Sequence, residues 1–160
     1  MGTIQIDCHW NETVDKTMKK LLFVISESVP FTPNINKLSE KLEAPRNTIL
    51  RLLDYLDQAQ ILNLLRSDAK GTSFLQKPEK IFLNNPNFIH LFSPTQPDLG
   101  NIRETFFYNQ TSTVHAVTSS KYSDFLIDES YVFEIGGPSK STEQIKGLPN
   151  AYLALDIKGG

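Results

Sequence analysis

Near residue 60 the apolar residues of this chain stop recurring every third or fourth position and begin to fall in short runs. The first spacing gives a helix one apolar face and the second suits a strand, so the chain should be helical first and β-rich afterwards. Upstream, Met18, Leu21, Leu22 and Ile25 share one face of a helix predicted over 14–28. Pro30 and Pro33 end it. Asn34 is placed to cap a second helix over 35–42, with Ile35, Leu38 and Leu42 inward. Pro45 fits the first turn of a third helix running to about 58, whose face carries Ile49, Leu52, Leu53 and Leu56. Residues 61–65 and 80–83 then read as two strands, joined through a turn at Lys70-Gly71-Thr72. Three helices followed by a hairpin is the element order of a winged helix, a helix-turn-helix variant.

The run Ser93-Pro94-Thr95-Gln96-Pro97-Asp98 marks a boundary, dividing the chain into units 1–94 and 95–160. The second unit should open with a helix over 99–110, in which Ile102, Phe106 and Phe107 make the apolar contacts. Strands are predicted over 114–118, 124–127 and 131–135, the last two joined by a polar turn at Asp128-Glu129. Gly136-Gly137-Pro138 breaks the third strand, a short helix follows near 141–146, and 151–155 reads as a fourth strand. A helix, an antiparallel hairpin and a crossover to another strand make a small α/β unit, and the whole chain is of α+β class.

Composition narrows the function classes. Apolar residues are 39% of the chain, enough for packed cores. A net charge of −2 gives no global attraction for nucleic acid or acidic membranes, so any such contact needs a local patch. The single cysteine, Cys8, excludes an internal disulfide framework and a Cys-rich zinc site, and fits a reducing, cytoplasmic setting. The longest apolar run, Leu21 to Ile25, is too short for a membrane span. Neither a G-x-x-x-x-G-K-[ST] loop nor a G-x-G-x-x-G turn is present, which excludes those two modes of nucleotide binding. His9, His90 and His115 share no helical or strand register and read as structural.

Three carboxylates stand out by position. Glu104 lies on the helix that opens the second unit, Asp124 begins one hairpin strand, and Glu134 ends the next. Acids at strand ends can converge on one point, where Asp124 and Glu134 would hold a magnesium ion that activates water. Polar strand ends also keep a small hairpin soluble, so spacing leaves both readings open. A metal nuclease of this architecture wants a lysine two positions after the second strand's acid. Gly136 stands there, and Lys140 is the candidate for a relocated cation.

For nucleic acid, the third helix offers Arg46, Asn47, Thr48 and Arg51 near its start, with Lys70 and Lys77 flanking from the hairpin. Asp54 and Asp57 lie on the same helix, and residues 1–94 carry 11 basic against 10 acidic side chains. That face suits DNA or a protein partner.

Several of these segments are similar to one family. The run from Ser28 through Ile35 (SVPFTPNI), then Pro45-Arg46 and Leu53-Asp54-Tyr55-Leu56, resembles the winged-helix segment behind the core of bacterial AAA-type ATPases. Lys77-Pro78-Glu79-Lys80-Ile81, the run from Gly100 through Phe107 (GNIRETFF) and Phe133-Glu134-Ile135-Gly136-Gly137 resemble the same family's C-terminal domain of unknown function. That domain looks like a PD-(D/E)XK nuclease, a small restriction-endonuclease-like fold. The resemblance implies that Glu104 is the helix glutamate, Asp124 the first metal-binding aspartate and Glu134 the second acid. It further implies an N-terminal ATPase module in the same polypeptide, and an apolar tail beyond Ile157 that would make the second unit a truncated one. The function it implies is an accessory region that binds DNA or a protein partner, with no cofactor of its own. The alternatives are a magnesium- or manganese-dependent nuclease using Asp124 and Glu134, and an inert structural fragment.

Overall fold

The computed structural model describes residues 12–28, 30–66, 76–92 and 98–156. The expected turn at Lys70-Gly71-Thr72, most of the boundary at 93–98, and Cys8 and His9 lie outside the described residues. Among the described residues, five α-helices and two small sheets make a mixed α+β arrangement.

The helices α1 (Glu12–Ser26), α2 (Ile35–Leu42) and α3 (Arg46–Gln58) come first. Asn34 caps α2 as its sequence position suggested, its side chain accepting from the Lys37 amide at 3.1 Å. Glu43 ends α2 with φ 51°, donating its own N–H back to the last turn. Leu21, Ile25, Ile35, Leu38, Leu42, Ile49, Leu52, Leu53 and Leu56 are buried in one cluster, joined by Leu50.

Strands β1 (Leu62–Leu65) and β2 (Lys80–Leu83) form an antiparallel hairpin in the register Leu62↔Leu83 and Leu65↔Lys80. Phe31 adds a bridge to Ile81, tying the loop before α2 to the hairpin. Alternate residues of a strand point to opposite faces. Leu62, Leu64, Ile81 and Leu83 therefore join the helical core, while Leu65 and Phe82 face away from it into a second core. A short helix, α4 (Asn87–Phe92), follows the hairpin and was not expected from the sequence.

The second core lies beneath α5 (Leu99–Thr111) on a four-stranded sheet. Its strands are β3 (Val117–Ser119), β4 (Phe125–Ile127), β5 (Tyr131–Gly136) and β6 (Ala151–Leu155), in that order across the sheet. The first three are antiparallel and β6 runs parallel to β5. Asp128 and Glu129 turn the β4–β5 hairpin with φ 50° and 54°, the left-handed pair that a tight hairpin favours. A single 3-10 turn at Glu143–Ile145 stands where a short helix was expected.

Two details depart from the expected pattern. Val114 lies in a turn before β3 and is exposed. On α5 the fully or nearly buried residues are Thr105 and Tyr108, whereas Phe106 is 55% exposed. The reason is the hairpin: Phe82 stacks on Tyr108 with ring centroids 4.7 Å apart, and Phe125 packs against both rings. Aromatic pairs of this kind contribute about 0.5–1.5 kcal/mol each beyond burial.

Candidate functional site

The stacking of Phe82 on Tyr108 sets the geometry of an acidic cluster. Glu104 precedes Tyr108 by four residues of helix, and Lys80 precedes Phe82 by two residues of strand. Both steps advance about 6–7 Å, so a lysine and a glutamate are brought face to face beside the ring pair. Lys80 Nζ bonds Glu104 Oε2, and it lies 3.9 Å from Asp124 Oδ1. The cation thus comes from the hairpin of the front half, while the acids belong to the back half.

Asp124 and Glu134 follow from strand pairing. The register Phe125↔Phe133 brings Asp124 opposite Glu134 one step further along. Asp124 is held by its backbone neighbour, its Oδ2 accepting from the Ile135 amide at 2.8 Å. Glu134 is 1% exposed, and its Oε1 bonds Lys140 Nζ. Its other oxygen, Oε2, is buried without a hydrogen-bond partner. Like charges opposite one another across a hairpin repel, and the two lysines offset that repulsion.

Gly136 explains how Lys140 arrives. A Cβ at Gly136 would collide with Cβ and Cγ of Lys140, whose stem crosses the space a side chain would fill. Gly136 and Lys140 are therefore one arrangement: the glycine opens the path by which the later cation reaches Glu134. Beside it, Arg103 binds Asp156 through Nε and Nη2, each 3.0 Å from Oδ2.

The electrostatics follow the geometry. Burial pushes the Glu104 carboxyl above its usual range, and the nearby negative charges of Asp124 and Glu134 push the same way, while Lys80 opposes them. The hydrogen bond to Glu134 holds the Lys140 ammonium above its ordinary value, with Asp124 and Glu104 adding to the effect. The Tyr108 hydroxyl is pushed up to about 12 by burial and by the negative charge of Asp57.

Three carboxylates at one place have the hard oxygen chemistry that suits magnesium. As they stand they do not fit a resident ion. Among the described residues no three His, Cys, Asp or Glu side chains form a group able to hold a metal together, and Lys80 and Lys140 stand on the oxygens such an ion would use. Lys80 is the member of this cluster that the sequence reading missed. The signal was the strand alternation of Lys80 and Phe82 against Ile81 and Leu83.

On α3, Arg46, Asn47 and Arg51 are exposed and Thr48 is half-buried. Five helical residues separate the arginines, so they point about 140° apart, whereas Asn47 and Arg51 share a stripe. Arg46 instead lines a polar hollow of about 460 Å³ with Lys77 and residues 32–36. Among the described residues neither Arg46 nor Lys77 has a carboxylate partner. Lys70 lies outside the described residues. Of the histidines, His115 pairs with Asp128 at 2.6 Å, a turn contact at the sheet edge that was not foreseen. The Asp128 carboxyl is held below its usual range by the Ala116 N–H and by His115.

Among the described residues no helix is long and apolar enough to cross a membrane. Comparison with protein-family models, with curated proteins and with solved structures found no match.

Proposed function

We propose that the chain is the accessory C-terminal region of a bacterial AAA-type ATPase, in which a winged helix and a small restriction-endonuclease-like domain bind duplex DNA for an ATPase module of the same polypeptide. The reading is supported above all by one observation: Glu104, Asp124 and Glu134, far apart in sequence, come within electrostatic reach of one another, Lys80 serving the first two and Lys140 the third. The exposed Arg46, Asn47 and Arg51, together with the hollow shared by Arg46 and Lys77, supply the local positive surface that a chain of net charge −2 needs.

Mobility shifts with short duplex DNA at two salt concentrations test it. Binding should weaken steeply as salt rises, because each neutralised phosphate releases a counterion. No binding at low salt would eliminate the DNA form and leave a protein partner as the occupant of that face.

A further inference from the structure

The four-stranded sheet has two edges, and the fold treats them differently. β3 is three residues long, polar at Thr118 and Ser119, and lies against β1 of the front hairpin. β6 has five residues, Ala151-Tyr152-Leu153-Ala154-Leu155, with neither a charge nor a proline among them. Among the described residues no strand lies on its outer side. Edge strands are usually blunted by lysine, proline or a bulge, because their unpaired N–H and C=O groups recruit another strand.

The register shows which groups are unpaired. The Asn150 carbonyl accepts from the Val132 amide at 2.9 Å, and the Asp156 amide donates to the Gly136 carbonyl at 3.2 Å. Backbone groups alternate in direction along a strand, so the even-numbered residues turn theirs toward β5. Ala151, Leu153 and Leu155 aim theirs outward. One partner satisfies all three: the same strand run antiparallel, with Leu153 on a two-fold axis and Ala151 opposite Leu155 of the second copy. Moving the register two residues sets Leu155 opposite Pro149, which has no N–H to give.

The side chains suit the same register. Tyr152 stacks on Phe133 and Ala154 packs onto the second core, so both face α5. Each Tyr152 would stand opposite Ala154 of the second copy, a large ring beside a small side chain. A hollow of about 300 Å³ opens there, with Phe106, Phe107, Ile135 and Ala154 in its lining. Tyr152 and Phe106, both exposed in the single chain, would be covered together. Asp156, the one charged residue from 148 to 156, meets Asn150 of the second copy rather than another acid. We infer that β6 is a dimer interface, at which two copies of the chain join edge to edge into one continuous sheet. The inference does not depend on the DNA reading.

Sedimentation equilibrium of the full 160-residue chain should show reversible dimers and nothing larger, since a two-fold interface closes on itself. Leu153→Pro removes an outward N–H that β5 does not use, and Tyr152→Lys places a charge at the hollow. Each should raise the dimer Kd by about tenfold or more. In a Cys8→Ser background, Leu153→Cys should cross-link into dimers under mild oxidation, its two copies being about 5.5 Å apart between Cα atoms. Ala151→Cys should not, because its copies are offset by about 13 Å along the strand. A chain that stays monomeric to millimolar concentration overturns the inference and leaves the edge to a strand of another protein. A dimer indifferent to both substitutions overturns it too, as does cross-linking of Ala151→Cys as ready as that of Leu153→Cys. Should circular dichroism show that Leu153→Pro fails to fold, Tyr152→Lys and the cysteine variants decide.

Discussion

The side chain of Lys140 lies across Gly136, passing through the volume that a Cβ would take to reach the buried carboxylate of Glu134. A glycine at the end of β5 is therefore required by its neighbour's path rather than by its own backbone.

Gly136→Ala should displace Lys140 and strand Glu134. Leaving a buried acceptor unpaired costs about 1–3 kcal/mol, and more when it is charged. Urea denaturation should show that loss. Lys140→Ala alone should cost a similar amount, and the double variant little more than either, because both changes break the same contact. Additive losses would mean that the glycine and the lysine act independently.

The pair Lys80–Glu104 carries a pH signature. Burial raises the Glu104 carboxyl above its ordinary value of 4.5, so the folded chain holds that proton more tightly than the unfolded one. Its contribution to stability is complete below about 4.5 and is lost as pH climbs through the raised folded value. Denaturation midpoints from pH 4 to pH 7 should therefore show a component that falls with rising pH. Glu104→Gln, which does not titrate, should lack it.

Phe82 joins the two halves. It is fully buried, stacked on Tyr108 and packed on Phe125, although it belongs to the hairpin of the front half. Phe82→Ala should cost about 3–5 kcal/mol and flatten the near-ultraviolet circular dichroism of the aromatic cluster. A loss under 1 kcal/mol would mean that the two cores are held together by other contacts.

If α3 meets duplex DNA, Arg46→Ala and Arg51→Ala should each lower the slope of log affinity against log salt by about one. Because the two side chains diverge, the double variant should show the sum of the single effects. Titrations of a short duplex at four salt concentrations measure this. Slopes that match the wild type would remove both arginines from the interface.

Much of this architecture was legible from local pattern. The three front helices announce themselves through Leu21, Leu38 and Leu53 and their neighbours at helical spacing. The turn at Asp128-Glu129 is written in two residues that accept left-handed backbone. The positions of Asp124 and Glu134 follow from the two strands that flank that turn. Phe106 and Phe107 looked equivalent on α5, yet it is Phe107 that turns onto Phe125 and Phe133, which reach it from the sheet, while Phe106 stays exposed.

By itself, then, the sequence determined the elements and which residues share a face, since period and turn chemistry act within a few positions along the chain. Only the tertiary structure decided that Lys80 crosses from the front hairpin to Glu104, and that Lys140 reaches Glu134 over Gly136. Strand alternation says that a side chain has two sides to choose from. Which neighbour waits on each side is decided by how separate elements pack, and no local pattern carries that information.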